Sequence, residues 1–245
     1  MKESGVIMEV VKVTLIMTLL GSISSGMGGI FANIFKVKSK NKIASLYEIT
    51  AGIMTGIVCI DMLPESFEMA PIIYSISGII VGLILVYIIN FLVEKSNKTN
   101  CSSTMPLVVL ISMAIHNAIE GLAIGSGFSY SFSLGLSILI SMFLHDIPEG
   151  MVVGITSKVS GNKFSKVILN SIIVGACVGI GCFIGNVFGN INDKYISFSL
   201  SIAAGAMLYI VACELIPSSK DLKPKRMVSI MYILGIIIGG ILSKI

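Results

Sequence analysis

Two segments of this chain carry the residue types best suited to gripping a cation. One reads His116-Asn117-Ala118-Ile119-Glu120-Gly121 and the other His145-Asp146-Ile147-Pro148-Glu149-Gly150. They share the pattern H-[ND]-x-x-E-G and hold both histidines of the chain. On a helix, residues four apart share a face, so His116 pairs with Glu120 and His145 with Glu149. Residues three apart are also neighbours, which sets Asn117 beside Glu120 and Asp146 beside Glu149. Two such helices side by side form one site from His116, Glu120, His145 and Glu149. They form a second from Asn117, Glu120, Asp146 and Glu149, with the glutamates shared between two ions. Imidazole with carboxylate suits Zn, Fe, Mn, Co or Cd better than Ca or Mg, which favour all-oxygen shells.

Five carboxylates lie inside apolar runs: Asp61, Glu120, Asp146, Glu149 and Glu214. Each costs at least about 2.5–3.5 kcal/mol at the centre of a membrane helix. No Lys or Arg stands in the interior of the same runs, so the missing positive charge is a bound cation or protons. Asp61 and Glu214 belong to a second repeat. Ala51-Gly52-Ile53-Met54 precedes Asp61-Met62-Leu63-Pro64, and Ala204-Gly205-Ala206-Met207 precedes Glu214-Leu215-Ile216-Pro217 at the same spacing. Pro148, inside the second histidine segment, removes a helix hydrogen bond and frees the carbonyl of Leu144 beside His145.

The elements that must position these residues are membrane helices. Of 245 residues, 55% are hydrophobic and 12% charged, with a mean hydropathy of +0.97. Soluble domains carry about 25% charged residues. This composition excludes a soluble globular protein, a disordered tail and a nucleic-acid-binding domain. Cutting at the charge clusters leaves eight apolar runs near 7–35, 43–64, 71–93, 106–127, 132–156, 167–189, 195–217 and 227–243. Backbone groups in lipid must be satisfied within the segment, so the runs are helices despite their many Ile and Val residues. The fold class expected is all-α: a polytopic membrane protein of eight transmembrane helices, a single domain over 1–245. The polar stretch 94–105 reads as a flexible linker and the longest loop.

Thirteen of the 17 basic residues fall in loops on one side: Lys36, Lys38, Lys40, Lys42; Lys95, Lys98; Lys158, Lys163, Lys166; and Lys220, Lys223, Lys225, Arg226. The other side has Lys2, Lys12, Lys194 and Lys244. The positive-inside rule puts the first set in the cytoplasm and both termini outside. Spans 2 and 7 then run in opposite directions, as do spans 4 and 5. Matching segments in opposite orientation mark inverted-repeat transporters, which hold their site at the repeat interface.

With both motifs and the eight-span plan in view, the chain resembles the ZIP (Zrt/Irt-like) family of divalent metal transporters, in a short microbial form. The resemblance implies metal ligands at His116, Asn117, Glu120, His145, Asp146 and Glu149, with Asp61 and Glu214 flanking the pathway. It implies uptake of Zn(II) or a similar ion (Fe, Mn, Co, Cd) into the cytosol across the cell membrane, by a homodimer. The ion is substrate; no cofactor is expected, and the lipid bilayer is the remaining partner. Three features depart from the family. Ile119 stands where many relatives have proline, the long histidine-rich loop is absent, and span 6 has Cys177 and Val178 where relatives place a further glutamate. The second site is therefore expected to be weaker, leaving about one tight ion. The competing classes are a cation/proton exchanger using the carboxylates and an intramembrane metalloenzyme. The absence of an H-E-x-x-H motif weighs against the enzyme.

Overall fold

A computed structural model describes residues 2–34, 39–96, 101–188, 192–222 and 224–243. Within these, the side chains of 2–7, 93, 94, 96, 101–106, 108, 134, 137, 141 and 145 lie outside the described set. So do Lys36, Lys38, Lys98, Lys223 and Lys244 of the charge count. The described residues form eight helices: α1 (Lys2–Ile34), α2 (Lys40–Met69), α3 (Ile72–Ser96), α4 (Cys101–Tyr130), α5 (Phe132–Val159), α6 (Phe164–Phe188), α7 (Asp193–Asp221) and α8 (Arg226–Leu242). Seven are long and apolar enough to cross a membrane, and α8 is a shorter apolar helix. Both ends of the expected linker at 94–105 are helix, since α3 runs through Ser96 and α4 begins at Cys101, and 97–100 lie outside the described residues. Polar residues extend a helix past its apolar core when the backbone bonds continue.

The carboxylate-bearing helices occupy the inside. The membrane-length stretches of α2, α4, α5 and α7 are 56–67% buried, against 22–44% for α1, α3 and α6. Exposed Leu and Ile side chains line the outer helices, among them Leu19, Ile80, Ile84, Ile173, Ile180 and Ile237. This arrangement puts apolar surface toward lipid and charge toward protein, where neighbours can satisfy it.

Odd- and even-numbered helices run in opposite directions. The main helix pairings are kept when α1, α2 and α3 are exchanged with α6, α7 and α8, and α4 with α5. Thus α1 packs on α5 as α6 packs on α4, and α2 on α8 as α7 on α3. Exchanging an odd with an even helix inverts its direction, so the two halves are inverted copies. Gly28 and Gly181, Gly52 and Gly205, Asp61 and Glu214, and Gly82 and Gly235 stand at one constant separation in the chain. Ser66 and Ser219 share it. Ser66 Oγ donates to the carbonyl of Ser197, and Ser219 Oγ to that of Ala44, each tying the end of one inner helix to the start of the other.

α2 and α7 each widen at the same place. Val58–Met62 and Ile210–Leu215 are π turns, and the amides of Leu63 and Ile216 reach back five residues to Val58 and Val211. Pro64 and Pro217 follow at once. A proline ring clashes with the carbonyl four residues before it, and the wider turn moves that carbonyl aside. Asp61 and Glu214 sit in these turns.

Candidate metal centre

The motif glycines set how closely the site helices meet their neighbours. A Cβ at Gly121 would lie 1.9 Å from the carbonyl oxygen of Val178 on α6, and one at Gly150 would lie 2.0 Å from that of Ser25 on α1. Only glycine permits this approach. The E-G dipeptide therefore places a glutamate next to the point where its helix is pressed against a partner.

Nε2 of His116 lies 2.8 Å from Oε1 of Glu120, one turn along α4, and 2.9 Å from Oε1 of Glu149 on α5. All three side chains are completely buried. Among the described residues they form the group of His, Cys, Asp and Glu whose ligand atoms lie close enough to hold one ion. Nδ1 of His116 and Oε2 of Glu149 are buried without a hydrogen-bond partner. Buried polar groups are ordinarily satisfied, and a buried carboxylate needs a compensating charge. A cation between the three would supply it. With metal–ligand lengths of about 2.0–2.2 Å in a tetrahedron, donor atoms stand roughly 3.3 Å apart. The observed separations fall short of that, so three such donors would have to open by a fraction of an ångström to admit an ion.

The other motif residues are placed differently. The side chain of His145 is outside the described residues, though its backbone lies in α5. Asn117 is fully buried on α4, and its Nδ2 donates to the carbonyl of Val174 on α6 at 3.1 Å, leaving Oδ1 buried without a partner. Asp146 is buried and accepts a hydrogen bond from Oγ of Ser24 on α1 at 2.9 Å. Val178, one turn after Val174, is also buried. Asp61 and Glu214 are partly exposed. Oε1 of Glu214 accepts from Nδ2 of Asn90 on α3 at 2.7 Å.

Residues outside the motifs contribute as well. Ser24 is a neutral donor to Asp146, invisible among the many serines of span 1. Glu48 is a sixth interior carboxylate, missing from the five counted above. It is buried on α2, accepts from Oγ of Ser219 at 2.9 Å and lies 3.0 Å from Nζ of the half-exposed Lys220. Its closeness to Lys40 and Lys42 in the chain gives it the look of a loop residue. Asn90, the one amide in an otherwise apolar run, was the available signal for the α3 contact.

The family model described as ZIP Zinc transporter matches residues 93–243. The zinc transporter GufA of Myxococcus xanthus is 33% identical over 114 residues, which cover 46% of this chain and 45% of that protein. The zinc transporter ZIP11 of Xenopus tropicalis is 32% identical over 152 residues, covering 59% and 45%. The zinc transporter ZIP4 of Mus musculus is 22% identical over 122 residues, covering 50% and 18%. The aligned part spans less than half the length of each of these relatives.

Proposed function

The chain belongs to the ZIP family, and on that premise we propose that it carries a divalent transition-metal ion, zinc first among them, into the cytosol. The observation that carries the reading is the buried contact of His116 Nε2 with Glu120 and Glu149, a nitrogen and carboxylate set in the middle of two membrane helices. Those three residues are the core ligands. His145, Asn117 and Asp146 complete the ligand set, and Asp61 and Glu214 flank the path at the π turns of α2 and α7. The protein works as a homodimer in the plasma membrane, and it moves its ion without chemical conversion, so it is not an enzyme. The relatives named zinc transporters support this substrate. Purified protein in liposomes that enclose a zinc indicator tests the reading. Zinc entry that is lost in Glu149→Ala supports it, and no entry with the unmodified protein refutes it.

A further inference from the structure

The two inverted halves differ in chemistry at one pair of helix ends. Lys158 stands to Ser129 as His145 stands to His116, and Asn33 stands to Asn186 as Gly28 stands to Gly181. Both pairs are in contact. At the end of the bundle that the charge count places in the cytoplasm, Nζ of Lys158 on α5 donates to the carbonyls of Ala32 and Asn33 at 3.1 and 3.0 Å. The last carbonyls of a helix have no partner within it, and a cation beside them is favoured. Lys158 therefore caps α1 with an ammonium. At the opposite end, the last turn of α6 meets a hydroxyl: Oγ of Ser129 on α4 donates to the carbonyl of Asn186 at 2.8 Å.

Three more counterparts differ, and in one sense. Ser157, Gly161 and Asn162 at the lysine-capped end correspond to Phe128, Phe132 and Glu9 at the serine end. The half that builds in no ammonium thus gains two aromatic rings and a carboxylate, all of which attract positive charge. These three residues line a cavity of about 730 Å³ together with Ser129, Asn186 and Phe183. The rings of Phe128 and Phe132 lie 5.9 Å apart, tilted by 60°.

The place of the cavity selects a lipid. It lies where α4 and α6 end and α5 begins, at the level of the headgroups, where aromatic side chains gather in membrane proteins. Phe183 and Val187 at its edge are exposed apolar residues of α6. Lys12 is exposed one turn on from Glu9, so a positive charge stands beside the negative one. An acid and a base so spaced match a zwitterion, with its ammonium at Glu9 and its phosphate at Lys12. Lys158 reaches its carbonyls through N–H donors, which a trimethylated headgroup lacks.

We propose that this cavity binds a phospholipid with a primary ammonium headgroup, of the phosphatidylethanolamine kind, whose N–H groups take the place in one half that Lys158 Nζ fills in the other. The headgroup sits between Glu9, the Asn186 carbonyl and the rings of Phe128 and Phe132, and an acyl chain runs along Phe183 and Val187. The site is separate from the metal centre, and its test needs no metal.

Native mass spectrometry of the detergent-solubilised full chain, titrated with dioleoyl phosphatidylethanolamine or dioleoyl phosphatidylcholine, reads the preference. The ethanolamine lipid should bind about tenfold more tightly, because methylation keeps the charge and removes the donors. Ser129→Lys supplies the ammonium from the protein, as Lys158 does, and should abolish the preference. Glu9→Gln should weaken binding of the ethanolamine lipid about threefold. Equal binding of the two lipids by the unmodified protein overturns the proposal, as does a preference that survives in Ser129→Lys. If Ser129→Lys does not fold, an unchanged preference in both Glu9→Gln and Phe132→Leu overturns it. Glycerophosphoethanolamine, which has no acyl chains, should bind at least about a hundredfold less tightly than the whole lipid. Equal binding marks a soluble amine as the occupant and overturns the lipid assignment.

Discussion

Oε1 of Glu149 on α5 sits 2.9 Å from Nε2 of His116 on α4, across the interface between the two motif helices, with neither side chain exposed. Glu120 approaches the same nitrogen from within α4 at 2.8 Å. The cluster is therefore built across the helix interface, and Glu149 is the carboxylate that joins its two sides.

Glu149→Ala and Glu120→Ala should each lower Zn(II) affinity by more than the roughly 10–100-fold typical of an outer-shell partner. Asn117→Ala should lose less, because its amide is spent on the Val174 carbonyl of α6 rather than on the cluster. Titration calorimetry and liposome uptake measure both. Equal losses in all three variants, at normal protein levels, would contradict this division of roles.

The chain should bind about one ion tightly, since α6 brings Val178 rather than a carboxylate to its buried face. Val178→Glu should raise the count toward two in equilibrium dialysis with Zn(II). Two equally tight ions in the unmodified protein would overturn the expectation.

Gly121→Ala and Gly150→Ala should each destabilise by about 1–3 kcal/mol or more, because the new methyl meets backbone oxygen on α6 or α1 and helices must separate. Gly161→Ala should cost only the roughly 1–2 kcal/mol of its left-handed φ of 83°, since nothing lies within 4 Å. Thermal unfolding in detergent ranks the three. A larger effect at 161 than at 121 would show that close helix approach is not what the motif glycines provide.

In a background without native cysteines, Lys163→Cys should be shielded from an impermeant thiol reagent in intact cells, and Asn192→Cys should react. Lys163 lies between α5 and α6 and Asn192 just before α7, so the pair reads opposite faces of the membrane. Labelling of Lys163→Cys would reverse the orientation.

Sequence by itself determined the parts of this protein that depend on local rules. Lipid forces every apolar run into a helix, so eight helices were legible from hydropathy alone. A helix sets residues four apart on one face, so the pairing of His116 with Glu120 was legible too. The equivalence of Asp61 with Glu214 could be read from Pro64 and Pro217, although the π turns that carry them could not. Tertiary structure alone decided which atoms meet between helices. That Glu149 reaches the histidine of the other helix, that Ser24 serves Asp146, and that Asn90 bridges Glu214 to Ser112 depend on each helix's rotation and depth against its neighbour. Those are set by close packing at points such as Gly121 against Val178 and Gly150 against Ser25. Small-residue contacts of this kind have no period that a single chain reveals, because the partner surface lies far away in the sequence.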